Sequence, residues 1–401
     1  MELTKIYNDF FNSEKAGGLV LIICTVFSLW IANSFLGPHY QAIWNFELAG
    51  HSIVHWINDG LMAIFFLLIG LELEREIYKG ELSNIREALL PIFSAIGGII
   101  VPALLFLFLN YAEPTRSGFG IPMATDIAFA IGILSLLGNK IPLSLKIFLT
   151  ALAVIDDLGA ILIIVFFYSK GIAWTYLLIA IGIYVVLIVL NRLRVTQYMP
   201  YIIGGIAMWY CMLHSGIHAT ITGVLLAFAI PYGNGCSQCP STKIQHMLHK
   251  PVAFIILPIF ALANTAIIIN SKLGDILFEP YSLGILLGLI LGKPIGIFVL
   301  TYIAVTFKIS KLPENVDWKM IAGVGMIAGI GFTMSIFITL LAFSDEAIIN
   351  NAKFAILMAS LVSGISGYVF LRMQSRKIGF QNQKAKKHTD DHNCTCGKYS
   401  K

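Results

Sequence analysis

The sequence predicts an all-α membrane protein of twelve transmembrane helices. Of its 401 residues, 57% are hydrophobic and only 12% are charged. A soluble protein carries about 25% charged residues, so this composition excludes a soluble globular fold. Two further observations support the prediction: twelve apolar runs, and an uneven distribution of Lys and Arg between the loops that join them.

The apolar runs are regularly spaced along the chain. They fall at 17–37, 53–72, 88–109, 119–137, 143–167, 174–192, 198–212, 217–231, 247–270, 282–307, 319–343 and 352–373. A helix needs about 20 apolar residues to cross a bilayer. The seventh and eighth runs are short by this measure, so tilted, thinned and partly re-entrant spans all remain open for them.

The basic residues predict the orientation of the chain. With the N-terminus inside, the inside segments hold 22 of the 27 Lys and Arg and the outside loops hold four. This asymmetry favours twelve spans with both termini cytoplasmic. It also explains the net charge of +5 through topology, with no nucleic-acid partner. We therefore predict a membrane domain over 1–373 and a polar, disordered cytoplasmic tail over 374–401.

The six cysteines do not predict a disulfide framework. Cys236 and Cys239 lie in a predicted cytoplasmic loop, and Cys394 and Cys396 lie in the tail, so reducing conditions disfavour disulfides. The tail sequence HTDDHNCTC leaves a zinc site open, but one CxxC and one distant CxC form a weak pattern. We expect neither a structural metal nor a cofactor. The chain also has no GxxxxGK[ST] or HExxH motif, so ATP-driven transport and zinc-protease chemistry find no support.

Five ionisable residues interrupt the apolar runs: Asp59, Asp126, Asp156, Asp157 and Lys293. A charge at the centre of a membrane helix costs about 2.5–3.5 kcal/mol on insertion scales. Such residues mark an ion or proton path by default. The adjacent pair in ALAVIDDLGA is the most informative, because apolar residues continue on both sides and leave no room for a loop.

Adjacent carboxylates suit an exchange reaction. Neighbours on a helix are about 100° apart, so both can border one cavity. Mutual repulsion and burial both favour the protonated form, and the two groups then titrate as a coupled unit. A hard cation such as Na+ also takes oxygen ligands and would compete with protons for them. If both carboxylates titrate, two protons move per cation and the cycle is electrogenic.

From sequence alone, the other three charged residues also have alternative explanations. Asp59 lies near the outer end of its run, where it would simply face water. Asp126 could neutralise the positive N-terminus of a broken helix. Lys293 could neutralise the negative ends of broken helices, or pair with an aspartate. The glycine-rich fourth and eleventh runs predict either two broken helices in matching places or close helix packing.

Several stretches in order along the chain resemble the NhaA family of bacterial sodium/proton antiporters. They are FFNSEKAGGLVL, INDGLMAIFFLLIGLELERE, GIPMATDIAFAIGIL, LKIFLTALAVIDDLGAILII, HSGIHATITGVLLAFAIP, HMLHKPVAFIILPIFALAN, LGKPIGI and GIGFTMSIFI. ATDIAFA and ALAVIDDLGA together are highly specific. The resemblance implies twelve helices with inverted-topology repeats, in which the fourth and eleventh helices are broken and cross near the membrane centre.

The resemblance also implies roles for individual residues. Asp156 and Asp157 look like the cation and proton carriers, with Lys293 as the partner of Asp156. Asp126 and Thr125 look like supporting residues at a helix break. Members of this family move Na+ or Li+ out across the inner membrane in exchange for protons, which serves pH homeostasis and salt tolerance. Many are homodimers joined by an outer β-hairpin, whose place 45–56 would fill here.

The family's pH response involves charged residues at the cytoplasmic side. The matching positions are Glu72, Arg75 and Glu76. Glu74 stands where a lysine is familiar, and Gln245 stands where a glutamate is expected, so the pH profile of this chain is open. His218 matches a histidine tied to pH response, although a locally hydrogen-bonded histidine at a helix start explains it as well.

Three other functions find less support. An intramembrane aspartyl protease takes its two acids from separate helices, one within GxGD, whereas this pair is adjacent. A passive channel needs weak, multi-site binding, unlike a buried acid–acid–lysine group. An organic-anion transporter would favour cationic or amphipathic residues in its cavity. The sequence therefore predicts a secondary antiporter, not an enzyme.

Overall fold

Helices make up nearly all the regular structure of the computed structural model, which describes residues 14–169, 171–233, 239–268 and 273–395. The helices of the first half are α1 (Glu14–Ala32), α2 (Gly37–Asn45), α3 (Ile53–Tyr78), α4 (Ile85–Leu109), α5 (Ile127–Leu136), α6 (Leu143–Phe167) and α7 (Trp174–Arg192). Those of the second half are α8 (Met199–Leu213), α9 (Ile221–Ala229), α10 (Pro240–Asn264), α11 (Leu273–Leu277), α12 (Pro280–Thr306), α13 (Trp318–Ala328), α14 (Phe332–Ala342) and α15 (Glu346–Thr395). Short 3₁₀ helices occupy Glu81–Ser83, Pro114–Met123 and Gly138–Lys140.

Seven of the described helices are long and apolar enough to cross a membrane, and the number rises to ten when three bent pairs each count as one span. The seven are α3, α4, α6, α7, α10, α12 and the part of α15 from Glu346 to Gln374. The protein is therefore a multi-pass integral membrane protein. The predicted short runs correspond to α8, with 15 residues, and α9, with nine.

Two of the bent pairs lie where the sequence allowed broken helices. The 3₁₀ helix Pro114–Met123 meets α5 at 42°, and α13 meets α14 at 47°. The breaks face each other, because the Asp126 N–H donates to Ile330 O at 2.7 Å. A backbone break inside a membrane is tolerated only where other protein groups satisfy it. The two breaks therefore form one polar junction at which both spans change direction.

Three helices contain a π-turn that sequence reasoning did not anticipate. The turns are Ile57–Leu61 in α3, Val252–Ile256 in α10 and Gly288–Gly292 in α12. Pro258 and Pro294 each follow their turn by one intervening residue. Because proline removes a backbone donor and clashes with the carbonyl four residues earlier, a local widening of the helix accommodates it. The remaining π-turn, Ile57–Leu61, has no proline in that position and contains Asp59.

Helices α4 and α12 cross at two glycines. A Cβ on Gly97 would lie 2.1 Å from Gly296 O, and a Cβ on Gly296 would lie 2.1 Å from Gly97 O. One turn away, the hydroxyls of Ser94 and Thr301 are 2.6 Å apart. Small residues and hydroxyl pairs are typical of close helix packing in membranes. This crossing fixes the position of α12, which carries Lys293.

The hairpin that falls within 45–56 has two residues in each strand. Strand β1 (Glu47–Leu48) pairs antiparallel with β2 (His51–Ser52). The turn residues Ala49 and Gly50 have φ of 52° and 85°, as a two-residue type I′ turn requires. Trp56 Nε1 donates to Leu48 O at 2.9 Å and holds the hairpin against α3.

The last helix extends beyond the predicted membrane domain. Its part that is long and apolar enough to cross a membrane runs from Glu346 to Gln374, and the domain boundary at residue 373 stays a prediction. The helix itself continues to Thr395. The disorder predicted for the tail stays a prediction. Cys236 and Cys396, for which a metal site was left open, lie outside the described residues.

Candidate functional site

Asp156 and Asp157 lie in the middle of α6, whose helix is continuous from Leu143 to Phe167. A cap or loop therefore does not explain them. Their side chains are 1% and 0% exposed. Asp156 Oδ2 contacts Lys293 Nζ at 2.7 Å. Among the described residues, Asp156 Oδ1 and both oxygens of Asp157 have no hydrogen-bond partner.

Lys293 combines the two roles that the sequence left open. It begins the α-helical part of α12 after the π-turn, and its side chain is fully buried. Its ammonium group pairs with Asp156 and also donates to Met123 O. This is the last carbonyl of the 3₁₀ helix Pro114–Met123, which forms the first half of a broken span and is called the 3₁₀ half-span below. One cation thus neutralises both a carboxylate and the negative end of a helix.

Asp126 joins the two breaks. It is the N-cap of α5 and accepts from Phe129 N–H at 3.0 Å. Its other oxygen accepts from Thr333 N–H at 3.1 Å and from Thr333 Oγ1 at 2.5 Å. Because both helix N-termini carry partial positive charge, a carboxylate between them is stabilised. Asp126 therefore occupies the position expected of a residue that supports a helix break.

Thr125 connects the break to the aspartate pair. Its hydroxyl lies 2.7 Å from Asp156 Oδ2 and 3.0 Å from Ala328 O, the last residue of α13. Both neighbours are acceptors, so the single hydroxyl proton can serve only one of them at a time. The site thus brings together all five residues predicted to act at or beside the exchange centre.

The charges of the site do not balance internally. Three buried carboxylates, on Asp126, Asp156 and Asp157, face one buried ammonium on Lys293. Burying an unpaired charge is expensive, so the remaining negative charge calls for protons or a bound cation. Asp157 is the one of the three acids whose two oxygens both lack a hydrogen-bond partner within the described chain, which leaves it open to either.

A cavity of about 260 Å³ lies near Asp59. Four histidines line it together with Asp59: His51, His55, His214 and His218. His55 Nε2 is 3.3 Å from Asp59 Oδ2, and the His51 ring stacks on His55 at 4.3 Å. Asp59 thus lies in a π-turn beside a histidine, not merely at an exposed helix end.

The histidines of this cavity were missed at the sequence level except for His218. The spacing of His55 and Asp59, four residues apart within α3, was a usable signal because such positions share one helix face. His218 Nε2 lies 3.1 Å from Tyr168 O, close to the start of α9. Within the described residues, no group of three or more His, Cys, Asp or Glu side chains is arranged to hold a metal ion.

The predicted pH-response residues of α3 lie near its C-terminal end. Arg75 Nη2 is 3.1 Å from Glu76 Oε1, and Glu72 lies one turn earlier. Glu74 is only 4% exposed and accepts from Ser241 Oγ at 3.1 Å. This contact joins α3 to the start of α10.

The two departures from the family pattern are neighbours in this region. Gln245 is buried on α10, four residues after Ser241 and therefore on the same helix face. Glu74 contacts that face through Ser241. Glu74 thus lies between α3 and α10, and Gln245 lies on the helix face that carries its partner Ser241.

A profile of the family described as Na+/H+ antiporter 1 matches residues 8–371. The chain belongs to this Na+/H+ antiporter family. It is 64% identical over 383 residues to the Na(+)/H(+) antiporter NhaA of Flavobacterium psychrophilum, which covers 96% of this chain and all of the relative. It is 61% identical over 372 residues to NhaA 1 of Flavobacterium johnsoniae, covering 93% of this chain and 98% of the relative.

A third antiporter named NhaA, from Cytophaga hutchinsonii, is 59% identical over 373 residues and covers 93% of this chain and 96% of its own. These similarities extend over nearly the whole membrane domain. They confirm the family identified from the motifs. The members are antiporters, so the protein is a transporter and not an enzyme.

Proposed function

We propose that the protein exchanges cytoplasmic Na+ or Li+ for external protons, with Asp156 and Asp157 as the carriers. The supporting observation is the set of three buried carboxylate oxygens without hydrogen-bond partners in the described chain, next to a single buried lysine. Hard cations prefer such oxygens as ligands. The relatives are named for the same exchange.

The cycle follows from competition for these oxygens. A cation that binds Asp157 displaces its proton, and a proton that binds displaces the cation. If the site opens to one side of the membrane at a time, this competition is sufficient for antiport by alternating access. The Lys293 ammonium group pairs with the Asp156 carboxylate and holds it in place. This ion pair breaks when Asp156 binds a cation or a proton. Asp126 and Thr125 fix the breaks around the site.

The proposed cycle is electrogenic, because two titrating carboxylates move two protons for each monovalent cation. We expect purified protein in proteoliposomes to exchange Na+ for protons and to build a membrane potential while doing so. The measurement is Na+-dependent collapse of a pH gradient, with a potential-sensitive dye recorded in parallel. A vesicle population without protein is the control. Exchange without a potential change would contradict the stoichiometry but not the antiport.

The proposed topology has twelve spans. The ten spans counted by length and composition are joined by the shorter α8 and α9, which makes twelve. The two broken spans support an inverted repeat. The distribution of Lys and Arg supports cytoplasmic N- and C-termini in the bacterial inner membrane. The proposal requires no resident cofactor, since Na+, Li+ and H+ are cargo.

Regulation by pH is proposed at two places. Glu72, Arg75, Glu76 and Gln245 lie at the cytoplasmic end of α3 and on the adjoining α10. Asp59 and His218 line the cavity with three further histidines, and we propose that it is the outer vestibule. Histidine changes charge near neutral pH, so the cavity suits a response to acidity.

Asp126 is expected to support both stability and cation affinity. Asp126→Asn removes the charge between two helix N-termini, which is worth up to about 2 kcal/mol in buried geometries. Asp126→Ala also removes the hydrogen bonds to Phe129 and Thr333 and is expected to cost more. Thermal unfolding in detergent and the KM for Na+ measure both effects. Ser52→Ala, which removes the cap of α3 on His55 N–H, is the control and should leave KM unchanged.

A homodimer is proposed through the outer hairpin within 45–56. The short strands β1 and β2 precede the start of α3. Phe46, just before β1, is 62% exposed, and Leu48, within β1, is 58% exposed. Exposed apolar side chains on a hairpin suit an isologous contact between copies. The other partner is the lipid bilayer, and no nucleic-acid partner is proposed.

A further inference from the structure

The start of α14 depends on a residue of the last helix. The first N–H groups of any helix lack acceptors within it, and no water replaces them inside a membrane. At this break the Thr333 N–H donates to Asp126 Oδ2 at 3.1 Å. The preceding Phe332 N–H donates to Ser360 Oγ, also at 3.1 Å. Asp126 and Ser360 therefore accept from adjacent amides of one helix turn.

We propose that Ser360 is a positioning residue for cation exchange, which holds the break between α13 and α14 in register with Asp126 and Thr125. The proposal rests on the proposed antiport at Asp156 and Asp157. Ser360 lies on α15 and is 5% exposed. Within the described chain its hydroxyl accepts from Phe332 N–H and makes no hydrogen bond to an ionisable residue of the site.

The path from Ser360 to the site consists of short contacts. Its acceptor bond fixes the backbone at Phe332, two residues after Ile330. Ile330 O accepts from Asp126 N–H at 2.7 Å. On the other side of the break, Ala328 O lies 3.0 Å from the Thr125 hydroxyl, which is 2.7 Å from Asp156 Oδ2. A shift of the break therefore moves both supporting residues of the aspartate pair.

Ser363 provides a matched comparison one turn away on the same helix. It is 1% exposed, and its hydroxyl has no hydrogen-bond partner among the described residues. A Cβ on Gly329 would lie 2.8 Å from this hydroxyl, so Ser363 approaches the same break without holding it. Ser360→Ala and Ser363→Ala thus remove the same atom from the same helix, and only the first removes an observed bond.

The test compares full-length wild type, Ser360→Ala, Ser360→Thr and Ser363→Ala in proteoliposomes over a range of Na+ concentrations. Ser360→Ala is expected to raise the KM for Na+ by roughly threefold to tenfold, the ratio expected for one lost hydrogen bond, with the maximal rate retained. Ser360→Thr keeps the hydroxyl and should restore KM, and Ser363→Ala should match wild type. Hydrogen exchange of the peptide spanning 329–336 should be faster in Ser360→Ala alone.

Each result of this comparison either supports or overturns the positioning role of Ser360. Wild-type KM in Ser360→Ala, or an equal rise in Ser360→Ala and Ser363→Ala, overturns the positioning role. If Ser360→Ala does not fold, Ser360→Cys keeps the size with a weaker acceptor, and a wild-type KM in that variant also overturns it. If wild type itself shows no Na+-dependent exchange, the proposed function fails, and unchanged hydrogen exchange in Ser360→Ala would separately refute the role of Ser360.

Discussion

Asp157→Asn is expected to reduce Na+-driven proton exchange to background while the protein remains folded. Asparagine has nearly the same shape, but it neither carries a proton nor balances a cation. Because both oxygens of Asp157 lack hydrogen-bond partners in the described chain, the change breaks no observed contact. Removing a buried, unpaired charge is neutral or stabilising, so the melting temperature should not fall.

The measurement is collapse of a preset pH gradient on adding Na+ or Li+ to everted vesicles or proteoliposomes. Asp317→Asn is the control, since Asp317 is an exposed helix-start residue whose side chain caps nothing. Full activity in Asp157→Asn would remove Asp157 from the exchange site and direct attention to Asp126. A wild type that responds to neither cation would contradict the proposed substrates.

Separating Lys293 from Asp156 is expected to destabilise the protein more than any other single change near the site. The two charged groups are 2.7 Å apart with both side chains at 0% exposure. Removing one partner of a buried pair typically costs about 3–5 kcal/mol, because the other charge stays buried without compensation. Lys293→Met and Asp156→Asn should therefore each lower the thermal unfolding midpoint strongly.

The double variant Asp156→Asn with Lys293→Met distinguishes pairing from general disruption. It removes both charges and should recover much of the stability lost in either single variant. Asp157→Asn is the matched control, since this neighbour is equally buried but has no recorded hydrogen bond to Lys293. If Lys293→Met and Asp157→Asn unfold at the same temperature, the pair contributes nothing to folding.

The chemistry of the site was largely predictable because membranes make charges conspicuous. Asp126, Asp156, Asp157 and Lys293 stood out against apolar surroundings, and all four lie in one cluster. Their pairing was not predictable from the residues alone; only the family resemblance implied that Lys293 meets Asp156. Which aspartate Lys293 meets depends on how α12 packs against α6 and the 3₁₀ half-span, and no local pattern encodes this.

The fold was predictable to a similar depth. Glycine in the fourth and eleventh runs, together with Pro122 in the fourth, predicted either broken helices or close helix packing, and the structure contains a break in each run. The contact between Glu74 and Ser241 arises from packing over a long sequence separation and could not be predicted. The resemblance marked Glu74 only as a departure from the family pattern, and its burial against α10 could be seen only in three dimensions.

The glycine crossing between α4 and α12 limits which helices of the transporter can move relative to one another. Any side chain at Gly97 or Gly296 would collide with the opposing backbone, and a register slip would bring Val101 or Leu300 into the same gap. The two helices therefore cannot slide past one another. Helix α12 therefore keeps its place relative to α4, and any separation of Lys293 from Asp156 requires this pair of helices and α6 to shift relative to one another.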